Sequence, residues 1–334
     1  MNTRCNSSKG RDDMGGFTFN ISDLSAMMNA KDIVTKKIVE MVKTNPKICY
    51  INSDGTGHSG PLRELYEEFP NRVLDVGIAE MNLVTVAAGL AKKGYIPYGQ
   101  AFGPFLCVRA LDQIHNDMAY NDLPVRLIGT HGGLSSGYGP THNTIIEFGV
   151  MNTIPNMTMI APCDANECIK MLDASITYPG PIYIRIPRGE EPAVYKSTNF
   201  NYEIGKSITI KKGKDATIIA TGSEVHFSVQ AAKILEEEGI DVGVIDMHTI
   251  KPIDKKAILE AARLTGTIIT AEDHNLLGGL GSIVADVLME AGVSARLKKI
   301  GIPDEFVSFG YPEEIYPYYG FDAAGIAKTV KVFL

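Results

Sequence analysis

The sequence predicts an α/β protein made of two doubly wound domains with mainly parallel sheets. Short runs rich in Ile and Val recur along the chain, and longer stretches with helical spacing separate them, a pattern typical of βαβ units. The length of 334 residues exceeds the size at which a single core usually stops growing. A polar stretch between two such patterns indicates an interdomain connection.

In the first domain, expected over residues 23–190 after a polar tail at 1–22, strands alternate with helices. One predicted helix, Ala79–Lys92, has apolar residues at helical spacing, and another, Asp164–Thr177, opens with an N-cap Asp followed at the third position by Glu167. The predicted strands are Lys47–Asn52, Gly94–Gly99, Pro124–Thr130, Met157–Ala161 and Pro181–Ile186.

The second domain is expected over residues 205–334, after a linker at 191–204. A helix is predicted over Glu224–Glu238, ending at Gly239. The strands around it are predicted at Asp215–Thr221, Asp241–Asp246 and Gly266–Ala271. This domain is the smaller of the two.

Composition narrows the class of protein. Hydrophobic residues make up 45% and charged residues 21% of the chain, as in soluble globular proteins. The net charge is −7 without a sustained Lys/Arg cluster, so we expect binding neither to nucleic acid nor to a membrane. The five cysteines form no CxxC pair, and no apolar run suits a signal peptide or a membrane span. We therefore expect a cytoplasmic protein with reduced thiols.

Four segments carry residues suited to chemistry. Glu80 follows a strand-like run in the first turn of a helix, where a carboxylate also simply complements the helix dipole. Phe102 and Phe105 follow a predicted strand, where aromatic residues are commonly core. His131 and His142 flank a glycine-rich loop after another strand, at the strand ends where open α/β sheets bind ligands.

The fourth segment is Pro181–Gly189, in which Arg185 and Arg188 end a buried strand. The planar guanidinium is suited to bidentate binding of anionic groups. A surface ion pair is the alternative interpretation of either arginine.

The run from Asp75 to Glu80, Asp-Val-Gly-Ile-Ala-Glu, resembles the signature of the pyrimidine-binding domain of thiamine diphosphate enzymes. The resemblance implies that Glu80 bonds N1′ of the cofactor's aminopyrimidine and favours the imino tautomer, whose nitrogen removes the thiazolium C2 proton. It also implies that Phe105, and next to it Phe102, stack on the aminopyrimidine. The spacing from these aromatics to Arg109 is similar to that of split transketolases.

The Thr130–His142 loop, with its Gly-Pro-Thr-His ending, is also similar to transketolases. By that resemblance His142 bonds the substrate oxygen that exchanges a proton, His131 orients a sugar oxygen, and Arg188 binds the substrate's phosphate, or a sulfonate or carboxylate in its place. The loop is one residue shorter than in long-chain transketolases and has Tyr138 and Gly139 where an acidic residue before glycine is usual.

The Gly-Asp-Gly motif that holds metal and diphosphate in these enzymes does not occur in the sequence. In those enzymes an Asn follows the motif by nearly thirty residues. Asn82 follows Asp54 by about that distance, but the first glycine is missing and Asn82 falls within the Glu80 helix. Asp54 instead matches an acidic residue near the thiazolium. The resemblance therefore implies a partner: an N-terminal transketolase subunit that carries the diphosphate and Mg²⁺ (or Ca²⁺), in a heterotetramer in which this chain also dimerises with itself.

The implied reaction transfers a two-carbon ketol unit from a ketose to an aldose, as in pentose phosphate metabolism. Deoxyxylulose-phosphate synthase and the beta subunit of a 2-oxoacid dehydrogenase are the enzymatic alternatives, and the donor substrate distinguishes them. A non-catalytic scaffold subunit is an alternative of another class. The sugars, their anionic group and the partner's identity are left open by the sequence.

Overall fold

The computed structural model describes residues 21–54 and 61–334, and it contains two α/β domains with mainly parallel sheets, as predicted. Most of the predicted polar tail lies outside these residues. Its last two positions, Ile21 and Ser22, are buried, and the Ser22 amide donates to the Val194 carbonyl at 2.8 Å. Ile21 and Ser22 are thus packed against the predicted linker.

The first domain contains a seven-stranded sheet in the order β12-β6-β7-β5-β4-β2-β3. Every pairing within it is parallel except that of β12 with β6. Each of the five predicted strands is present, with ends that differ by a few residues. The strands are β2 (Ile48–Asn52), β3 (Val73–Asp75), β4 (Ile96–Phe102), β5 (Arg126–Thr130), β6 (Thr158–Ile160), β7 (Ile182–Arg185) and β12 (Thr249–Lys251).

Helices cover both faces of this sheet. In α6 the predicted cap forms, with the Glu167 amide donating to the Asp164 side chain at 2.7 Å. Two π-helical turns, Phe105–Arg109 and Ile114–Ala119, flank the short α4. The helices are α1 (Ala30–Thr44), α2 (Pro61–Glu68), α3 (Glu80–Lys92), α4 (Leu111–Gln113), α5 (Glu147–Asn152) and α6 (Ala165–Ser175).

The second domain has a five-stranded sheet in the order β14-β13-β10-β11-β9, with β9 antiparallel at one edge. Its strands are β9 (Ile208–Lys211), β10 (Ala216–Ala220), β11 (Val242–Asp246), β13 (Thr267–Asn275) and β14 (Arg296–Ile302). Its helices are α7 (Glu224–Glu237), α8 (Lys255–Thr265), α9 (Leu280–Glu290), α10 (Pro312–Tyr319) and α11 (Ala323–Phe333). None of the helices in 21–54 and 61–334 is long and apolar enough to cross a membrane.

The two domains share structure. Strand β12, which lies in the second domain's part of the sequence, pairs with β6 of the first sheet. A two-stranded ribbon joins β1 (Met27–Asn29) to β8 (Glu190–Pro192), where the predicted linker begins. One hydrophobic cluster is also continuous from α3 to α8 and α9, so the domains are packed as one unit.

A buried acidic group lies at this interface. One carboxyl oxygen each of Glu167 and Asp246, with the Cys163 sulfur, lie within 4.8 Å of one another. Asp246 Oδ2 accepts from the Tyr195 hydroxyl at 2.6 Å. Glu167 Oε1 and Asp246 Oδ1 are buried and have no described hydrogen-bond partner, so a proton shared by the two carboxyls would satisfy them.

Candidate active site

The candidate residues converge where the central strands of the first sheet end. Strand β4 ends at Phe102 and β5 at Thr130, while α3 begins with Glu80. Because these strands are parallel neighbours, their carboxyl ends lie at one edge of the sheet. This is where open α/β sheets bind ligands.

Glu80 is 2% exposed in the first turn of α3. A tight turn leads into this helix: Gly77 has φ of +74°, which a glycine adopts without strain, and its amide donates to Asp75 Oδ1 at 2.8 Å. Glu80 Oε2 lies 2.6 Å from Nη1 of Arg109. The buried carboxylate is thereby paired with a cation whose side chain is 42% exposed.

The two phenylalanines form a stacked pair next to this carboxylate. Their ring centroids are 5.6 Å apart and the planes differ by 16°. Phe105 belongs to the first π-helical turn, and the Arg109 guanidinium carbon lies 4.3 Å from its ring centroid. The π turn thus brings Arg109 over Phe105 and onto Glu80.

His131 lies behind this pair, with its ring centroid 4.0 Å from that of Phe102. It has a φ of +63°, an uncommon conformation for a residue with a side chain and one that clusters at functional sites. Burial, followed by repulsion from Arg188, lowers its pKa to about 3, so the imidazole is neutral at physiological pH. Its Nδ1 is 2.9 Å from the Thr130 hydroxyl, while its buried Nε2 has no described partner.

His142, at the other end of the glycine-rich loop, contacts the same pair of phenylalanines. Its ring meets Phe105 edge-on, with centroids 5.3 Å apart and planes at 72°. The Thr141 hydroxyl lies 2.8 Å from its Nδ1, which leaves Nε2 for another partner. The structure thus brings both predicted histidines onto the predicted aromatic pair.

Arg188 reaches the same group through Tyr138. Its Nη2 donates to the Tyr138 hydroxyl at 2.9 Å, and its guanidinium carbon lies 4.5 Å from the tyrosine ring centroid. That ring is stacked on His131 with centroids 5.5 Å apart. Contacts therefore run without a break through a set that we name the Glu80–Arg188 cluster: Glu80, Phe102, Phe105, Arg109, His131, Tyr138, His142 and Arg188.

Arg185 is not available to a ligand, contrary to the possibility that both arginines of its segment face an anion. Its Nε lies 2.6 Å from Glu147 and its Nη2 2.6 Å from Asp273, and all three side chains are buried. Burial opposes the charge, but the carboxylates of Asp273 and Glu147 outweigh it and raise the pKa of Arg185. Arg185 therefore links the two domains.

The described contacts of the cluster include neither Asp54 nor Asn82. Asp54 is exposed with a φ of +54°, and its amide donates to Asp75 Oδ1 at 3.2 Å. Asn82 is exposed on α3. The described contacts join neither side chain to Glu80, and the role of Asp54 near the cofactor stays a prediction.

Sequence reasoning underestimated Tyr138 and Arg109. Tyr138 stood out only as a departure from the usual loop, yet it connects His131 to Arg188. A cleft of about 490 Å³ opens beside Arg188, and side chains of the second domain, among them His226 and Tyr311, complete its walls. The contacts of Tyr138 and Arg109 and the walls of this cleft join positions far apart in the chain, so no local sequence pattern predicts them.

Comparison with known proteins identifies the family of the chain. Family models of the transketolase pyrimidine-binding domain and the transketolase C-terminal domain match residues 26–192 and 205–326. A subunit of the apulose-4-phosphate transketolase of Phocaeicola vulgatus is 38% identical over 309 residues, 92% of this chain and 98% of that protein. The chain belongs to the transketolase family. Membership of this family implies a transferase and thiamine diphosphate as the cofactor.

Other members of the transketolase family match different shares of their length. A solved structure of a split gene transketolase, described as an inactive β4 tetramer, is 35% identical with a TM-score of 0.85, and the match covers 92% of this chain and 98% of that one. The 1-deoxy-D-xylulose-5-phosphate synthase 1 of Geobacter sulfurreducens is 39% identical over 302 residues, 89% of this chain. This chain spans 47% of that synthase.

The cluster fits the aminopyrimidine of thiamine diphosphate. An aminopyrimidine needs a carboxylate for its ring nitrogen and an aromatic surface for its face. Glu80 and the Phe102–Phe105 pair supply both. The unpartnered Nε2 of His131 adds a polar atom on the same side.

Proposed function

We propose that this chain is the pyrimidine-activating subunit of a split, thiamine diphosphate-dependent transketolase. It would transfer a two-carbon ketol unit from a ketose to an aldose in the cytoplasm. One observation carries the proposal: the buried Glu80 carboxylate, the stacked phenylalanines and both histidines form a single cluster at one sheet edge.

The cofactor, when bound, supplies the carbon nucleophile that accepts the two-carbon unit. Glu80 would hold the proton that it shares with N1′ of the aminopyrimidine. Phe102 and Phe105 would stack against the pyrimidine and keep water away from it. Burial of Glu80 strengthens this hydrogen bond because few water molecules compete for the carboxylate.

The two histidines would bind the oxygen atoms of the substrate and transfer protons to and from them. The donor ketose loses carbons 1 and 2 and departs as an aldose two carbons shorter, and the acceptor aldose gains them, so no water or redox partner is consumed. One hydroxyl proton leaves the donor and one returns to the acceptor's carbonyl oxygen. His142, with a free Nε2, would relay them, and neutral His131 would orient a hydroxyl by a hydrogen bond.

Arg188 would bind the substrate's anionic end, a phosphate or a sulfonate. Its exposed guanidinium is held by Tyr138 rather than by a carboxylate, so its charge is available to a ligand. The adjoining cleft provides room for that end. The substrate would therefore lie along the cluster, with its reacting carbons near Phe105 and its anionic group at Arg188.

A second polypeptide would complete the enzyme. We propose an N-terminal transketolase subunit that holds the diphosphate and Mg²⁺ or Ca²⁺, assembled with this chain as a heterotetramer. The relatives from Phocaeicola vulgatus and the split gene transketolase, each matched over 98% of its length, support a subunit of this size. The sequence also lacks the Gly-Asp-Gly motif.

The Glu80→Gln variant tests the proposal in the complex reconstituted with the partner subunit, Mg²⁺ and thiamine diphosphate. We expect ketol transfer to fall at least 100-fold, because an amide cannot take up the shared proton. Glu260→Gln, at an exposed position of α8, is the matched control and should keep full turnover. Unchanged turnover in Glu80→Gln would sink the proposal.

The match to deoxyxylulose-phosphate synthase supports one alternative. That enzyme uses pyruvate as donor and releases its carboxyl group as CO₂. Replacing the ketose by pyruvate in the same assay, with detection of CO₂, separates the two activities. We expect turnover with the ketose and none with pyruvate.

A further inference from the structure

Arg109 makes two contacts that the aminopyrimidine would also need. Its Nη1 lies 2.6 Å from Glu80 Oε2, and its guanidinium carbon lies 4.3 Å from the centroid of Phe105. Within the described chain its side chain has no other hydrogen bond or ion pair. The planar guanidinium of Arg109 thus contacts the carboxylate of Glu80 and the ring of Phe105 at the same time.

A guanidinium and an aminopyrimidine resemble each other physically. Both are flat and delocalised, both present N–H donors at their edge, and both stack on aromatic faces. A pyrimidine that is bonded through N1′ to Glu80 and stacked on Phe105 would compete with Arg109 for both groups. The two cannot occupy this space at once.

Electrostatics points the same way. A cation bonded to a carboxylate favours its charged form, whereas the proposed reaction needs a proton shared between N1′ and Glu80. Arg109 in its present position would oppose that sharing. Its side chain is 42% exposed, so solvent is open to it when it leaves.

We infer that Arg109 is a built-in substitute for the aminopyrimidine. In the cofactor-free subunit it neutralises the buried Glu80 and covers Phe105, and it withdraws into solvent when the cofactor binds. This inference rests on the proposed function. It makes Arg109 a residue that sets cofactor affinity through Glu80 rather than a catalytic residue.

The test measures binding of thiamine diphosphate with Mg²⁺ to the reconstituted complex by calorimetry. In Arg109→Met the competing cation is gone, and we expect the cofactor Kd to fall roughly two- to fivefold, the order of one partly exposed ion pair. The melting temperature should fall in the cofactor-free complex, where Glu80 has lost its partner, and recover with saturating cofactor. Arg109→Lys, which keeps the charge without the stacking, should give an intermediate Kd.

Two further variants make the result specific. Arg63→Met removes another exposed arginine that pairs with a glutamate, Glu67 at 3.4 Å, and should leave the Kd unchanged. In a Glu80→Gln background, Arg109→Met should tighten binding less, because a neutral amide holds the guanidinium weakly and only the contact with Phe105 is left to remove.

An unchanged or weaker Kd in Arg109→Met would overturn the inference, since Arg109 would then support the cofactor or stand apart from it. Tightening of equal size in the Glu80→Gln background would also overturn it. A wild-type complex that binds no cofactor would instead reject the proposed function, and the inference with it. That failure is recognised because it is already present before any substitution.

Discussion

The chemistry of the cluster depends on how individual side chains are held. His131 keeps a neutral ring because burial lowers its pKa to about 3, so it contributes a hydrogen bond rather than a charge. Arg188 keeps its charge at the surface, where Tyr138 orients it through one hydrogen bond and one ring contact. Under the proposed function, these two neighbours would present a neutral and a cationic group to the same substrate.

Replacing Arg188 tests its assignment to the anionic end of the substrate. In Arg188→Met we expect KM for a phosphorylated ketose to rise roughly 10- to 100-fold, the usual range for losing a charged hydrogen bond, with kcat within a few-fold. KM for an unphosphorylated ketose should not change. Steady-state kinetics with both donors checks this, and Arg263→Met, exposed on α8, is the control. Equal effects on both donors would contradict the assignment.

The sequence predicted where the cluster residues lie in the chain but not how they contact one another. Glu80, Phe105 and His142 lie in contiguous runs at strand ends, and such runs can be recognised from the sequence alone. The bond from Arg109 to Glu80 depends on a π-helical turn. Such a turn contains one residue more than an α-helical turn, and it therefore changes which side chain faces Glu80 on α3. The place of Tyr138 depends on an arginine 50 positions away.

At the scale of elements, the loop from β5 to α5 places both histidines, and its glycines allow it to pass between the domains. Gly133 has a φ of +62°. A Cβ built there would lie 1.7 Å from Asp273 Oδ2 and 2.3 Å from Arg185 Nη2. The loop therefore fits against the interdomain ion pair only because this residue has no side chain.

Gly133→Ala should destabilise the protein by about 3 kcal/mol or more, because it combines a left-handed backbone with a clash against buried charges. Gly89→Ala is the opposite case: it lies in α3 with nothing within 4 Å of an added Cβ, and it should gain about 0.5–1 kcal/mol. Urea unfolding of both variants measures the difference. A Gly133→Ala protein as stable as Gly89→Ala would refute this account of the loop.

The main strands could be predicted because runs of Ile and Val mark buried parallel strands. Strand β12, Thr249–Lys251, could not. It has three residues and no apolar run, and it forms because its main chain pairs with the edge of β6. Its partner lies about ninety residues away, where local propensity carries no information.

At the scale of the whole molecule, buried polar contacts join the domains. Arg185 bonds Glu147 of the first domain and Asp273 of the second. Glu167 on α6 faces Asp246 at the end of β11. Burial raises the pKa of Asp246 to about 7, although the Tyr195 hydroxyl bond opposes the rise, and burial followed by the Asp246 charge raises that of Glu167.

This acidic pair predicts a pH dependence of stability. Between the ordinary Asp pKa of 3.8 and about 7, the unfolded chain releases a proton that the folded chain keeps, so the free energy of unfolding falls as pH rises, by roughly 1 kcal/mol per pH unit. Asp246→Asn, with an asparagine at this position, cannot take up such a proton. Its stability should therefore decline less across this window.

Urea unfolding at pH 5, 6, 7 and 8 measures the difference between wild type and Asp246→Asn. The neighbouring groups that carry titratable side chains are Asp164, Cys163, Tyr195 and Tyr202, and all are retained in the variant. Asp304→Asn, at an exposed loop position, should follow the wild type. Parallel curves for Asp246→Asn and wild type would show that no proton is held between the two carboxyls.

The antiparallel pairing of β12 with β6 has a consequence for how the chain can be divided. Without β12, β6 would be an edge strand with unpaired main-chain N–H and C=O groups. Such edges recruit strands from other molecules and promote aggregation. The second domain's part of the chain thus protects this edge of the first sheet, and a fragment ending before Thr249 should be prone to self-association.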